Sequence, residues 1–157
     1  MSFDLNTYYQ AAVNYFNQLK EQNPELQSYS YEKNIKLENE SMSLKRFIEG
    51  TKQVEYKGIE NGFFCFHGTE EKNIEGICTD GFDPKRRGSQ TYGPGEYFNC
   101  DYKVSECYTK GGKKLLLVFV IQSEKVEKCK GDFYVVRNPE DWTYSYCLPL
   151  LILTKSD

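Results

Sequence analysis

The chain has a single histidine, and none of its six cysteines stands in a C-x-x-C pair. Together these scarcities exclude the usual Cys/His zinc arrangements, which need paired ligands at short spacing. Cys65, Cys78, Cys100, Cys107, Cys129 and Cys147 therefore read as reduced structural thiols, four of them in apolar, core-like surroundings. No metal is expected. No apolar run approaches the length of a membrane span, and the opening residues MSFDLNTYYQ lack the basic and apolar regions of a signal peptide. Charge of one sign is missing too. Twenty Lys and Arg against 23 Asp and Glu leave a net charge of −3, which gives no general attraction to nucleic acid or to an anionic membrane. The expectation is a soluble, monomeric intracellular protein, cytoplasmic or nuclear, or in a host cytosol if the chain is a secreted effector.

What is present is ordinary globular material with many aromatics. The 157 residues are enough for one domain that buries roughly two-thirds of its unfolded surface. Aromatic content reaches 15%, carried by thirteen Tyr and ten Phe. Residues 2–26 read as a helix: Leu5, Tyr8 or Tyr9, Ala12, Val13, Phe16 and Leu19 follow helical spacing, Asp4 or Asn6 can cap the start, and Asn23-Pro24 stops it. A first strand is expected over 31–37. A helix follows from Ser41 or Ser43 to Gly50, with Leu44, Phe47 and Ile48 on one face. Residues 54–59 lead into a buried strand at 63–66, followed by a short helix over 70–78 and a loop over 80–90 rich in Gly, Pro and charge. The run LLLVFVIQ at 115–122 is apolar, branched and of strand length, so it is expected to be buried on both faces. Further strands are expected at 133–137 and 146–154, separated by the breaker Asn138-Pro139-Glu140-Asp141. A few helices followed by short strands make an α+β plan rather than alternating βαβ units. Residues 1–30 form an N-terminal helix and connection, and 31–157 the main body of a single compact domain.

Two stretches invite a functional reading. His67-Gly68-Thr69 closes the strand at 63–66, where a polar ring beside a glycine can anchor a ligand that approaches the backbone closely. Asp83-Pro84-Lys85-Arg86-Arg87-Gly88 reads equally well as a solvated loop and as a cationic lid.

The order of motifs is more informative than any one of them. HGT at 67–69, I-x-x-x-GF at 77–82, YGPGEYF at 92–98 and S-x-x-Y at 105–108 follow one another, with Ser105 eight and Tyr108 eleven residues after Tyr97. This set resembles the catalytic domain of the poly(ADP-ribose) polymerase-like ADP-ribosyltransferases, over roughly residues 35–154. The resemblance implies two antiparallel sheets packed around a cleft that takes NAD as co-substrate. His67 would hold the ribose, and Gly68 would offer backbone N–H and C=O to the carboxamide, with Ser105 adding a hydroxyl. Tyr97 and Tyr108 would face the two sides of the nicotinamide ring, while Thr69 and Tyr92 belong to the same motifs.

One position departs from the pattern. Polymerising members of the family carry a glutamate on the last conserved strand, where YCLPLLILT offers Leu151, Ile152 or Leu153, with Ile152 the preferred match. The third catalytic position, after His67 and Tyr97, would then be apolar. The resemblance therefore implies transfer of one ADP-ribose to a macromolecular acceptor, a protein before a nucleic acid, and argues against chain synthesis. Glu140 or Asp141, or an acidic acceptor, would have to supply a missing carboxylate. Two alternatives stand beside this reading: an inactive NAD- or partner-binding module, and a transferase acting on nucleic-acid ends.

Overall fold

The structure, a computed structural model, describes residues 3–88 and 91–157. Ser2, at the start of the expected first helix, and Ser89 and Gln90, at the end of the expected loop, lie outside the described residues. Four α-helices and seven strands are defined among the rest: α1 Leu5–Gln22, β1 Tyr29–Lys33, α2 Met42–Thr51, β2 Gly62–Gly68, α3 Ile74–Asp80, β3 Glu96–Asn99, α4 Tyr102–Glu106, β4 Lys114–Ile121, β5 Val126–Lys128, β6 Phe133–Val136 and β7 Cys147–Lys155. The strands follow the order β1-β7-β4-β2-β3-β6-β5, and every neighbouring pair is antiparallel. The fold is α+β.

Hydrogen bonding divides the sheet into two halves. β1, β7, β4 and β2 are laddered along their lengths, as are β3, β6 and β5. The halves meet at one rung, Phe66 opposite Asn99. Asn138 spans the gap, donating from Nδ2 to Glu96 of β3 at 3.0 Å and to Cys147 Sγ of β7 at 3.6 Å. Two antiparallel halves joined at a narrow seam are what the seven-stranded sheet provides of the two-sheet plan that the resemblance implied.

The sequence explains the layering. Side chains alternate across a strand. Phe64 and Phe66 of β2 therefore share one face, where Phe64 meets Tyr15 of α1 at 5.2 Å and Phe66 meets Tyr102 of α4 at 6.4 Å between ring centroids. Cys65 and His67 share the other face, where His67 meets Phe82 at 4.9 Å. β4, buried from Leu115 to Ile121, lies inside both layers. Among the cysteines, Cys65, Cys78 and Cys147 are buried, but Cys100 and Cys107 are exposed and Cys129 is half-buried. The expected four core thiols reduce to three. All six are free.

Several expected boundaries shift for local reasons. The first helix stops at Gln22, and Pro24–Ser28 forms a 3₁₀ turn because proline at its start cannot continue the α ladder. The expected strand 31–37 begins earlier and ends at Lys33, because Asn34 turns the chain into a 3₁₀ segment, Ile35–Asn39, with its own side chain accepting from Lys36 N–H at 3.2 Å. The helix expected over 70–78 starts as a 3₁₀ turn, Glu71–Asn73, and runs as α3 to Asp80, where Gly81 at φ +97° ends it. β5 was not expected at all. Among the described residues no helix is long and apolar enough to cross a membrane.

Candidate functional site

A cleft of about 940 Å³ opens where β2 ends and the two halves part. Its walls are the strand end His67–Thr69, the α3 face with Gly81 and Phe82, the turn and strand from Tyr92 to Tyr97, Ser105 and Tyr108 of the α4 region, and Trp142. Of the residues singled out from sequence, His67, Gly68, Thr69, Tyr92, Tyr97, Ser105 and Tyr108 all face this one space.

His67 is oriented by the backbone. Its Nδ1 lies 2.8 Å from the Tyr97 carbonyl oxygen, which can only accept, so Nδ1 carries the hydrogen. In the neutral ring Nε2 is then an acceptor. Burial pushes the pKa of His67 down to about 4, with the bond to Tyr97 opposing part of the shift, so the ring is neutral at physiological pH.

Gly68 holds its place because nothing larger fits. A Cβ there would overlap the carbonyl oxygen of Ser105, so β2 and α4 touch backbone to backbone. That contact brings the S-x-x-Y segment to the strand end. Asp101 caps α4, its carboxylate accepting from Lys103 N–H at 2.9 Å. Ser105 is buried at the helix interior, while Tyr108, past the helix end, is 52% exposed and meets Phe133 edge-on at 6.0 Å. Its ring is therefore open to a flat ligand. The Thr69 hydroxyl accepts from Asn73 Nδ2 at 3.0 Å, tying the strand end to the start of α3.

Tyr97 is structural as well as cleft-facing. Its hydroxyl accepts from Tyr92 N–H at 2.7 Å and donates to Gly93 O at 2.7 Å, and its ring lies parallel to that of Tyr92 at 6.4 Å. Arg137 holds the same turn from the other side, donating to the carbonyls of Tyr92 and Pro94, each at 2.7 Å. Gly93 takes φ +93°, a conformation that favours glycine.

Ile152 lies on the same sheet face as His67. It stands in β7 opposite Leu116, which in turn stands opposite His67, so the three share a row and a face. Two strand spacings separate Ile152 from His67, about 10 Å, and Ile152 is not among the residues lining the cleft. Leu151 and Leu153, its neighbours, are buried and point to the opposite face. Glu140 and Asp141 lie in the connection after β6 and do not line the cleft either. The segment's contribution is Trp142, held by Arg46, whose guanidinium stacks 3.7 Å above the indole and donates to the Trp142 carbonyl at 2.9 Å.

Sequence reading also missed a buried polar cluster in the wall. Arg87 Nε donates to Glu96 Oε2 at 2.6 Å, and Arg87 Nη2 to Glu96 Oε1 at 3.3 Å and to Asn138 O at 2.9 Å. Burial pushes the Glu96 carboxyl above its ordinary value, and Arg87 and Asn138 pull it back. Thus Arg87, expected either in solvent or against a ligand, is turned inward. The other two cations of that loop, Lys85 and Arg86, are exposed. Glu96 was visible inside YGPGEYF, but nothing in the spacing linked it to Arg87 or Asn138.

The lining combines a bare imidazole nitrogen, a strand end without a Cβ, a nearby hydroxyl and two aromatic faces. Among the described residues no group of three His, Cys, Asp or Glu side chains could hold a metal ion.

The order of layers, the seam and the cleft define a PARP-like, ADP-ribosyltransferase-type fold. No family model matches the sequence, and no curated protein is significantly similar to it. Among solved structures, the crystal structure of the TASOR pseudo-PARP domain is similar to this chain, with a TM-score of 0.53 at 10% identity, covering 73% of this chain and 78% of that one. At that identity the likeness speaks for the fold alone.

Proposed function

We propose that this chain binds NAD in the cleft and moves a single ADP-ribose to a macromolecular acceptor, a protein side chain, with release of nicotinamide. The observation that carries the reading is the convergence of His67, Gly68, Tyr97, Ser105 and Tyr108 on one cleft from three separate elements. NAD supplies a labile bond between nicotinamide and ribose. The neutral His67 Nε2 accepts a hydrogen bond from a ribose hydroxyl. Backbone groups of Gly68 and the Ser105 hydroxyl fix the carboxamide, while Tyr108 and Tyr97 enclose the ring and keep water from it.

Elongation into a polymer is outside this reading, since β7 brings no carboxylate to the cleft. The same observation favours a second reading, an inactive module that binds NAD or a partner without transfer; the similar solved domain is itself named a pseudo-PARP. Labelled NAD offered to the pure protein with cell lysate separates the two. Discrete labelled bands that disappear in His67→Ala support transfer. A thermal shift with NAD and no label supports binding alone. Tyr108→Ala should weaken NAD binding about fivefold, the loss of roughly 1 kcal/mol of stacking. Unchanged affinity in a folded variant, measured by calorimetry, would place the ring elsewhere.

A further inference from the structure

The cleft contains one buried carboxylate, and the reading above leaves it idle. The side chains of Glu96 and Arg87 are only 4% and 7% exposed, yet both line the cleft. Asn138 completes the cluster, giving its amide N–H to Glu96 Oε1 at 3.0 Å and its carbonyl to Arg87 at 2.9 Å. An ion pair this deep is a poor stabiliser, because removing both charges from water offsets most of their attraction, and apolar packing would serve as well. Its position at the wall of a ligand cleft gives it a different use. Cleavage of the nicotinamide–ribose bond develops positive charge at the anomeric carbon, and an anion fixed in a dry site is what steadies such charge.

We infer that Glu96, rather than any residue of β7, is the catalytic carboxylate of this cleft, and that Arg87 covers it until the donor arrives. The inference rests on the donor-site reading above. The planar guanidinium suits two oxygens of a diphosphate as well as it suits a carboxylate. When NAD enters, Arg87 passes from Glu96 to the diphosphate, and Glu96 faces the ribose. The bond from the anomeric carbon to the nicotinamide nitrogen breaks, and its electron pair leaves with nicotinamide. An acceptor hydroxyl oxygen, or water in the hydrolytic case, bonds to that carbon. Its proton passes to Glu96 and then to solvent.

Glu96→Gln keeps the shape and an acceptor for Arg87 and Asn138. It should bind NAD within threefold of wild type and lose at least a hundredfold in kcat for transfer and for hydrolysis. Arg87→Gln guards against a variant that fails to fold, and it adds a signature that a structural role would not move. Without the cation that pulls the Glu96 carboxyl down in the free protein, the acid limb of the pH profile of kcat/KM should move to higher pH while KM for NAD rises. Folding is checked by thermal midpoint for each. A folded Glu96→Gln enzyme within fivefold of wild-type kcat overturns the inference, as does an acid limb that stays in place in Arg87→Gln. Wild-type protein that binds NAD but neither transfers nor hydrolyses it overturns the inference and leaves the binding reading standing. Failure to bind NAD at all removes both.

Discussion

At the scale of single residues, the cleft is set by groups with one permitted form. Gly68 is the plainest case. Alanine there must push α4 away from β2, so Gly68→Ala should cost about 1–3 kcal/mol in a denaturant melt and displace Ser105 and Tyr108 from the strand end. His67 gives a pH signature. Its folded pKa of about 4 lies below the value near 6.5 that the unfolded chain has. The unfolded state therefore binds the proton first, and the stability due to the neutral ring is whole above pH 6.5 and is lost as pH falls toward 4. The loss amounts to roughly 3 kcal/mol at most. Urea melts of wild type and His67→Asn, which keeps a donor for the Tyr97 carbonyl, should differ in slope across that window and run parallel above it. The histidine was readable in sequence because it is the sole one and sits in an ordered set of motifs. Arg87, Glu96 and Asn138 were not, since their meeting depends on β3 pairing with β6, a register that no spacing in the sequence shows.

At the scale of elements, connections are secured by buried side chains more than by regular ladders. Asn34, 1% exposed, donates to the carbonyls of Cys78 at 3.1 Å and Pro149 at 2.9 Å, and its own carbonyl accepts from Tyr9 at 2.6 Å. One residue thus ties the end of β1 to α3, β7 and α1. Asn34→Ala leaves two buried acceptors unpaired and should lower stability by about 3 kcal/mol, read from the denaturant midpoint. If the midpoint stays, water has replaced both bonds. Long apolar runs such as β4 and β7 were legible in sequence because burial on both faces leaves no polar positions to confuse the period. β5 was not, because VEK has no apolar pattern and is a strand only by pairing with β6. The shortened β1 has the same lesson: propensity continued to Leu37, but the hydrogen bonds of Asn34 ended it.

At the scale of the whole molecule, α1 belongs to the same body as the cleft, although its sequence reads as a separate lead-in. It covers the sheet through Tyr8 against Phe119 at 5.3 Å and Tyr15 against Phe64 at 5.2 Å. A chain lacking residues 1–30 would expose that aromatic face and lose the edge rungs of β1 at Tyr29 and Ser30. Such a truncation should be insoluble or lack a cooperative thermal transition by circular dichroism. A sharp transition near that of the full chain would show the helix to be dispensable.

The single rung between Phe66 and Asn99 gives the molecule the character of a book bound by one stitch. The two covers each keep their own ladders, and beside the stitch they are tied by the His67–Tyr97 bond and by Asn138. A dinucleotide held by His67 on one cover and by the Tyr92–Tyr97 turn on the other would act as a second stitch. Amide protons of β3, β6 and β5 would then exchange together and more slowly in its presence, while those of β4 and β7, already sewn along their length, would keep their rates.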